Sequence, residues 1–130
     1  MYRDTISVKE AEEKAMNLCS RREYSRKEMF EKVISWGCLP ADAQTVVDFL
    51  VKHNFIDDRR YAETFVKDKF KFNKWGRIKL TYMLYKQGIG DSDIRAGISA
   101  IDEDDYINLL TNELYKKRKT IKKFYEIVSL

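Results

Sequence analysis

The sequence predicts an all-α fold built from tandem three-helix repeats, two complete and a third partial. Three observations predict it. Apolar residues recur at helical spacing almost from end to end. The chain of 130 residues holds one proline and five glycines, too few for a turn-rich β fold. And the sequence partly matches itself when shifted by 51 positions.

The helices follow in order. Val8, Ala11, Ala15, Leu18 and Cys19 step by three and four, so they share one face. Met29, Phe30, Val33 and Ile34 repeat the pattern, followed by Ala43, Val46, Val47 and Leu50. Next come Tyr61, Ala62, Phe65, Val66 and Phe70, then Ile78, Tyr82 and Tyr85 with Leu80 and Leu84 beside them. Ile94, Ile98 and Ile101 follow, and last Tyr106, Ile107, Leu110 and Leu114. Starts and stops punctuate these runs. Ser25-Arg26-Lys27-Glu28 reads as a capping box. Pro40 suits a first helical turn. Asp57-Asp58 and Asp91-Ser92-Asp93 put oxygen acceptors and negative charge at helix N-termini. Gly37-Cys38, Gly88-Ile89 and Asn54-Phe55 read as left-handed stops, each followed by an apolar residue that folds back on the last turn.

The shift of 51 lays Ala11 on Ala62, Met29 on Leu80, Val33 on Leu84, Gly37 on Gly88 and Cys38 on Ile89. A shift of 45 lays Tyr61 on Tyr106 and Phe65 on Leu110. The expected division is residues 1–54, 55–101 and a partial repeat at 102–130, whose closing segment 122–130 reads as part of a second helix or a tail. A single trio buries little apolar surface, so neighbours must stack.

The net charge of +4 hides its distribution. Residues 67–79 carry Lys67, Lys69, Lys71, Lys74, Arg77 and Lys79 against Asp68 alone. Residues 102–105 read Asp-Glu-Asp-Asp, and residues 116–123 hold Lys116, Lys117, Arg118, Lys119, Lys122 and Lys123 with no acid. The cations at 67–79 are interleaved with Phe70, Phe72 and Trp75, a pattern suited to phosphate neutralisation and base stacking and equally to a solvated helix face. Phe70 is expected in the core, because the repeat aligns it with Cys19.

Catalytic chemistry finds no assembled site. Walker-type loops, GxGxxG, GxSxG and HExxH are absent. His53 lacks ligands at metal-binding spacing and reads as a helix-end residue. Cys19 and Cys38 read as free, packed thiols of a reducing compartment. No apolar run approaches the ~20 residues of a membrane span, and no apolar stretch follows Met1–Thr5, so a cytoplasmic, monomeric, non-enzymatic binding protein without cofactor, metal or membrane attachment is expected.

Phe55-Ile56-Asp57-Asp58-Arg59-Arg60-Tyr61-Ala62-Glu63-Thr64-Phe65-Val66, with Trp75-Gly76-Arg77-Ile78-Lys79-Leu80, Leu84, Lys86, Gly88-Ile89 and Ile94, resembles the RecX family of bacterial recombination regulators. Ser25, Met29, Val33 and Gly37 fit the family's preceding helix. The match covers about residues 8–118. The resemblance implies an elongated, curved array of three trios and a partner, the RecA recombinase filament. It implies that the chain modulates, in the inhibitory direction, ATP hydrolysis and strand exchange in DNA recombination, repair and the SOS response. It assigns no catalytic residues. The motif residues Asp57, Asp58, Tyr61, Ala62, Phe65, Gly76, Ile78, Leu80, Gly88 and Ile89 are expected to be structural. Arg59, Arg60, Lys67, Lys71, Lys74, Arg77, Lys79, Lys116, Lys117 and Arg118 are the candidate contacts to RecA or directly to DNA. A stand-alone helical DNA-binding module and a protein-binding scaffold are the alternatives. The family's third repeat normally continues through a second Gly-terminated helix and a third helix, and residues 122–130 hold no copy of the Gly37 or Gly88 stop.

Overall fold

A computed structural model describes residues 6–129; Met1–Thr5 and Leu130, at which the two ends were read, lie outside the described residues. Seven helices and no strand occur among them: α1 (Val8–Cys19), α2 (Arg26–Ser35), α3 (Pro40–Lys52), α4 (Asp58–Asn73), α5 (Arg77–Lys86), α6 (Asp91–Ser99) and α7 (Glu103–Val128). The linkers run three to six residues, which restricts consecutive helices to folding back on one another.

Local chemistry sets the boundaries. The Ser25 hydroxyl accepts from the Glu28 N–H at 3.0 Å, and the Glu28 carboxylate accepts from the Ser25 N–H at 3.2 Å, closing the capping box. Pro40 is the first residue of α3. Asp57 caps α4 by accepting from the N–H groups of Arg59 and Arg60. Gly37, Asn54 and Gly88 all have positive φ. After α3 and α5 the stop is a six-to-one hydrogen bond, Phe55 N–H to Leu50 O at 2.8 Å and Ile89 N–H to Leu84 O at 3.2 Å. α4 ends on a device not foreseen: Lys74 takes the left-handed conformation, φ 56°, and Trp75 N–H donates to Lys69 O.

α1–α3 pack on one another, and so do α4–α6, within one compact unit that runs to Ala100. Ala11, Ala15, Met29, Val33, Ala43, Val46 and Leu50 are fully buried in the first trio. Ala62, Leu80 and Leu84 hold the corresponding places in the second, with Cys38 and Ile89 both nearly buried. The helix ranges repeat with the residues: α2 shifted by 51 coincides with α5 over its whole length. α4 and α6 approach very closely, because a Cβ at Gly97 would stand 3.1 Å from Ala62 backbone and Cβ atoms. Gly97 is the repeat equivalent of Val46.

Three expectations are corrected. Ile78, Tyr82 and Tyr85 share a helix face, but it points outward, Ile78 being 89% exposed; Leu80 and Leu84 form the packed face of α5. The N-cap of α6 is Gly90, with no side-chain cap, and Asp91 and Asp93 lie inside the first turn, where they still oppose the helix dipole. Residues 122–128 are neither a second helix nor a tail. They continue α7 without a break, since no glycine or proline interrupts residues 103–128. Phe70 is half-buried. The second compact unit, residues 101–130, consists of α7, and none of that helix's residues is buried.

Candidate partner interface

The structure separates the candidate cations read from sequence. Lys67 and Lys71 lie exposed on α4, Lys74 caps its end, and Lys79 lies exposed in the first turn of α5. None of the four has a carboxylate within ion-pair distance among the described residues. Aromatic rings lie beside two of them and beside the neighbouring Lys69. Lys79 Nζ sits 4.4 Å from the centroid of Trp75, and Lys69 Nζ sits 5.3 Å from the same ring and 5.9 Å from Phe65. Lys71 Nζ lies 5.3 Å from Phe72, which is 73% exposed. Cations held over aromatic faces keep their charge and lose freedom, so part of the ordering cost of binding an anion is already met. Gly76, the N-cap of α5, supplies no side-chain acceptor and the first turn holds no acid, so the positive end of that helix dipole adds to the same field.

Arg59 and Arg60 belong elsewhere. Arg59 lies 4.0 Å from Glu63 one turn on, a loose surface pair. Arg60 is committed to the fold. Its Nε is 2.9 Å from both carboxylate oxygens of Glu23, and its Nη2 donates to the carbonyls of Asn54 and Phe55. A guanidinium spent on two carbonyls and a carboxylate is a positioning group, not an open contact. Arg77, the first residue of α5, is half-buried. Lys116, Lys117 and Arg118 lie exposed on α7, in the other unit, with Lys116 Nζ 3.7 Å from Glu113.

Comparison with known proteins decides the family. The model described as RecX, first three-helix domain, matches residues 11–50, and that of the second three-helix domain matches residues 57–98. Regulatory protein RecX of Vibrio campbellii is 30% identical over 118 residues, covering 91% of this chain and 73% of that protein. The chain belongs to the RecX family. RecX of Clostridium acetobutylicum is 36% identical over 99 residues, 75% of this chain and 41% of its own length. RecX of Clostridioides difficile is 30% identical over 131 residues, 97% and 61%. The chain thus spans about half the length of the clostridial relatives. The crystal structure of RecX from Lactobacillus salivarius superposes with a TM-score of 0.75 at 20% identity, covering 87% of this chain and 75% of that one, which shows the shared fold. Its relatives are named regulatory proteins, and RecX is a family of regulators, not enzymes.

Three RecX motif residues, Asp58, Tyr61 and Gly88, serve the junction between the two trios. Asp58 does not cap its own helix. Its Oδ1 accepts from the Arg26 N–H at 2.9 Å, so the second trio caps α2 of the first. Burial pushes this carboxyl above its ordinary range, and the Arg26 N–H pulls it partly back. Tyr61 is buried and donates its hydroxyl to Glu28; burial first, and Glu28 second, push its ionisation up to about 12. Ala62 makes room for Gly97, and Phe65 stands between the rings of Tyr61 and Trp75. Gly76 opens α5, and Leu80 and Ile89 are core. Gly88 leaves space for the Lys27 stem, and Lys27 Nζ reaches Lys86 O at 3.0 Å. Ile78 serves no packing role within this unit. Sequence reading missed the Glu23–Arg60 pair. Its only signal was an acid in the first interhelix linker and a base in the opening turn of α4, 37 positions apart.

Among the described residues no group of three or more His, Cys, Asp or Glu side chains is placed to hold a metal ion, and no helix is long and apolar enough to cross a membrane. His53 closes α3, its ring centroid 4.5 Å from that of Phe49 and tilted 49° to it. Cys19 and Cys38 are free thiols, both pushed up by burial.

Proposed function

We propose that this chain binds the RecA–DNA filament and restrains it, lowering the recombinase's ATP hydrolysis and strand exchange. One observation carries the proposal: Lys67, Lys71, Lys74 and Lys79 are exposed and lack acidic partners among the described residues, and two of them, Lys71 and Lys79, lie beside the rings of Phe72 and Trp75. Four uncompensated cations on rigid elements need an anionic surface, and a nucleoprotein filament offers phosphates and carboxylates at regular intervals. Membership of the RecX family supports that partner. The three junctions at Glu23–Arg60, Arg26–Asp58 and Lys27–Lys86 tie the two trios together, so one surface can span more than one filament subunit. Lys116, Lys117 and Arg118 on α7 supply a second basic contact. No bond is made or broken; the effect is occupancy, and it follows mass action.

The test is RecA-dependent ATP hydrolysis on single-stranded DNA. Added stoichiometric protein lowers the rate, and the quadruple reversal of Lys67, Lys71, Lys74 and Lys79 to glutamate abolishes the effect while the helical circular dichroism is retained. An unchanged rate at excess protein rejects the proposal. The exposed Phe72 beside Lys71 favours a second reading, direct binding to single-stranded DNA without the recombinase. A gel shift across a salt series without RecA distinguishes the two. Tight, steeply salt-dependent binding supports the second.

A further inference from the structure

We propose that the outward face of α5, with the groove between α5 and α6, takes an acidic helix of a protein partner on three apolar side chains. The inference rests on the proposed function and narrows it: this face meets the protein of the nucleoprotein filament, not its DNA.

Ile78, Tyr82 and Tyr85 are spaced four and three apart, so they form one stripe along α5. They are 89%, 57% and 69% exposed, while Leu80 and Leu84 fill the core. The repeat supplies an internal comparison. Shifted by 51, Ile78 falls on Lys27 and Tyr82 on Glu31, both exposed on α2, and Tyr85 falls on the half-buried Ile34. The three-helix plan therefore does not require apolar side chains at 78 and 82. The stripe borders a groove of about 460 Å³, whose other wall is Asp91 and Arg95 on α6 and whose floor is the nearly buried Ile94. An apolar groove edged by tyrosines suits the side chains of an entering helix, because tyrosine gives wide contact area at a small cost in side-chain entropy.

Charge selects the occupant. Lys79 and Lys86 lie three residues before Tyr82 and four after it, and Arg95 lies across the groove. All three are exposed, and none has a carboxylate within ion-pair distance among the described residues. Asp91 lines the groove, whereas Asp93 acts on Asp58, at the start of α4. Three open cations against one carboxylate fit a partner whose apolar stripe is flanked by acids. Lys79 also belongs to the basic face of α4 and α5, so the two surfaces are continuous. DNA fits this face less well. Ile78 has no ring for a base to stack on, Lys86 Nζ already stands over the Tyr82 ring at 5.5 Å, and Asp91 repels phosphate. A second copy also fits less well: α5 laid antiparallel on its own copy, about a two-fold axis at Tyr82, brings Lys79 against the copy's Lys86.

The test compares the full chain with its Ile78→Ser, Tyr82→Ser, Tyr85→Ser variant in RecA-dependent ATP hydrolysis, with a gel shift on bare single-stranded DNA beside it. Half-inhibition by the variant is expected to need roughly tenfold more protein, with helical circular dichroism and the gel shift unchanged. Charge is read separately. Lys86→Glu with Arg95→Glu should weaken inhibition, and Asp91→Asn should strengthen it. Inhibition retained by the triple-serine variant overturns this inference and leaves the proposed function standing; no inhibition by the wild type rejects both. Loss of the gel shift together with inhibition assigns the face to DNA and overturns the inference. So does weakening by Asp91→Asn alone, which makes the partner basic, and so does a dimer in sedimentation equilibrium that the triple-serine variant dissolves.

Discussion

Arg60, in the opening turn of α4, reaches back across the junction between the helix trios to Glu23, its Nε 2.9 Å from both carboxylate oxygens. The same guanidinium holds the carbonyls of Asn54 and Phe55, which follow the left-handed stop of α3. The pair therefore ties together a linker, a helix end and a helix start. Arg60→Ala is expected to lower stability by about 1–2 kcal/mol, since three acceptors lose a charged donor at a partly exposed site. A double-mutant cycle with Glu23→Gln, followed by urea denaturation, should return a coupling of about 1 kcal/mol. Additive single effects would show that the pair is incidental.

Asp58 caps the helix of the neighbouring trio, and its substitutions separate hydrogen bonding from charge. Asp58→Ala should cost about 1 kcal/mol through the orphaned Arg26 N–H. Asp58→Asn keeps an acceptor and should cost less. The pH response has a definite sign. The folded-state ionisation of Asp58 lies above its ordinary value. The native state therefore binds the proton more tightly, and this stability contribution is present at low pH and lost as pH rises through the folded value. Wild type should gain on Asp58→Asn as pH falls into the acid range, and chemical denaturation along a pH series measures it.

Tyr61 makes the same argument at the alkaline end. Its ionisation is pushed up to about 12 from an ordinary value of 10.0, with burial as the first cause and Glu28 as the second. Stability tied to the neutral phenol is fully present below the ordinary value and drains away as pH rises toward 12. Tyr61→Phe removes this alkaline dependence. Spectrophotometric titration should show one tyrosine ionising late, and its absence from the Tyr61→Phe profile assigns it.

Gly97 fixes the spacing of α4 and α6. Gly97→Val would drive its Cβ into the backbone and Cβ of Ala62 at 3.1 Å. Helix separation should cost about 1–3 kcal/mol, more than the ~1 kcal/mol of helix propensity that replacing glycine can return. Thermal denaturation reads the balance, and an unchanged midpoint would mean the helices part freely.

The four lysines of the α4–α5 face carry a quantitative signature. If they neutralise single-strand phosphates, the logarithm of affinity should fall against the logarithm of salt with a slope of roughly −0.7 per contact, so reversing all four should flatten it by about 3. Reversing Arg60 would instead change stability, since that cation already has its partners.

The helices, their stops and the repeat were legible because each rests on chemistry within a few residues. A capping box spans four positions, and a left-handed glycine with its apolar follower spans two. The offset of 51 carries the core with it, so Met29 and Leu80, or Cys38 and Ile89, are buried in equivalent places. The stop at Lys74 escaped notice because lysine is not a residue that favours positive φ.

The sequence alone determined that this is a helical repeat with segregated charge and a RecX-like motif, since periodicity and capping are local properties written in neighbouring residues. Tertiary structure decided which charges are spent and which are available. Arg60 and Lys71 look alike as cations of one helix, α4, yet one is bound to Glu23 and two carbonyls while the other stands over Phe72 at the surface. It also turned Ile78 outward and sent the Asp58 carboxylate to Arg26, 32 positions away. Partners this distant in sequence leave no local trace, because electrostatics and packing act through space between elements whose approach only the fold sets.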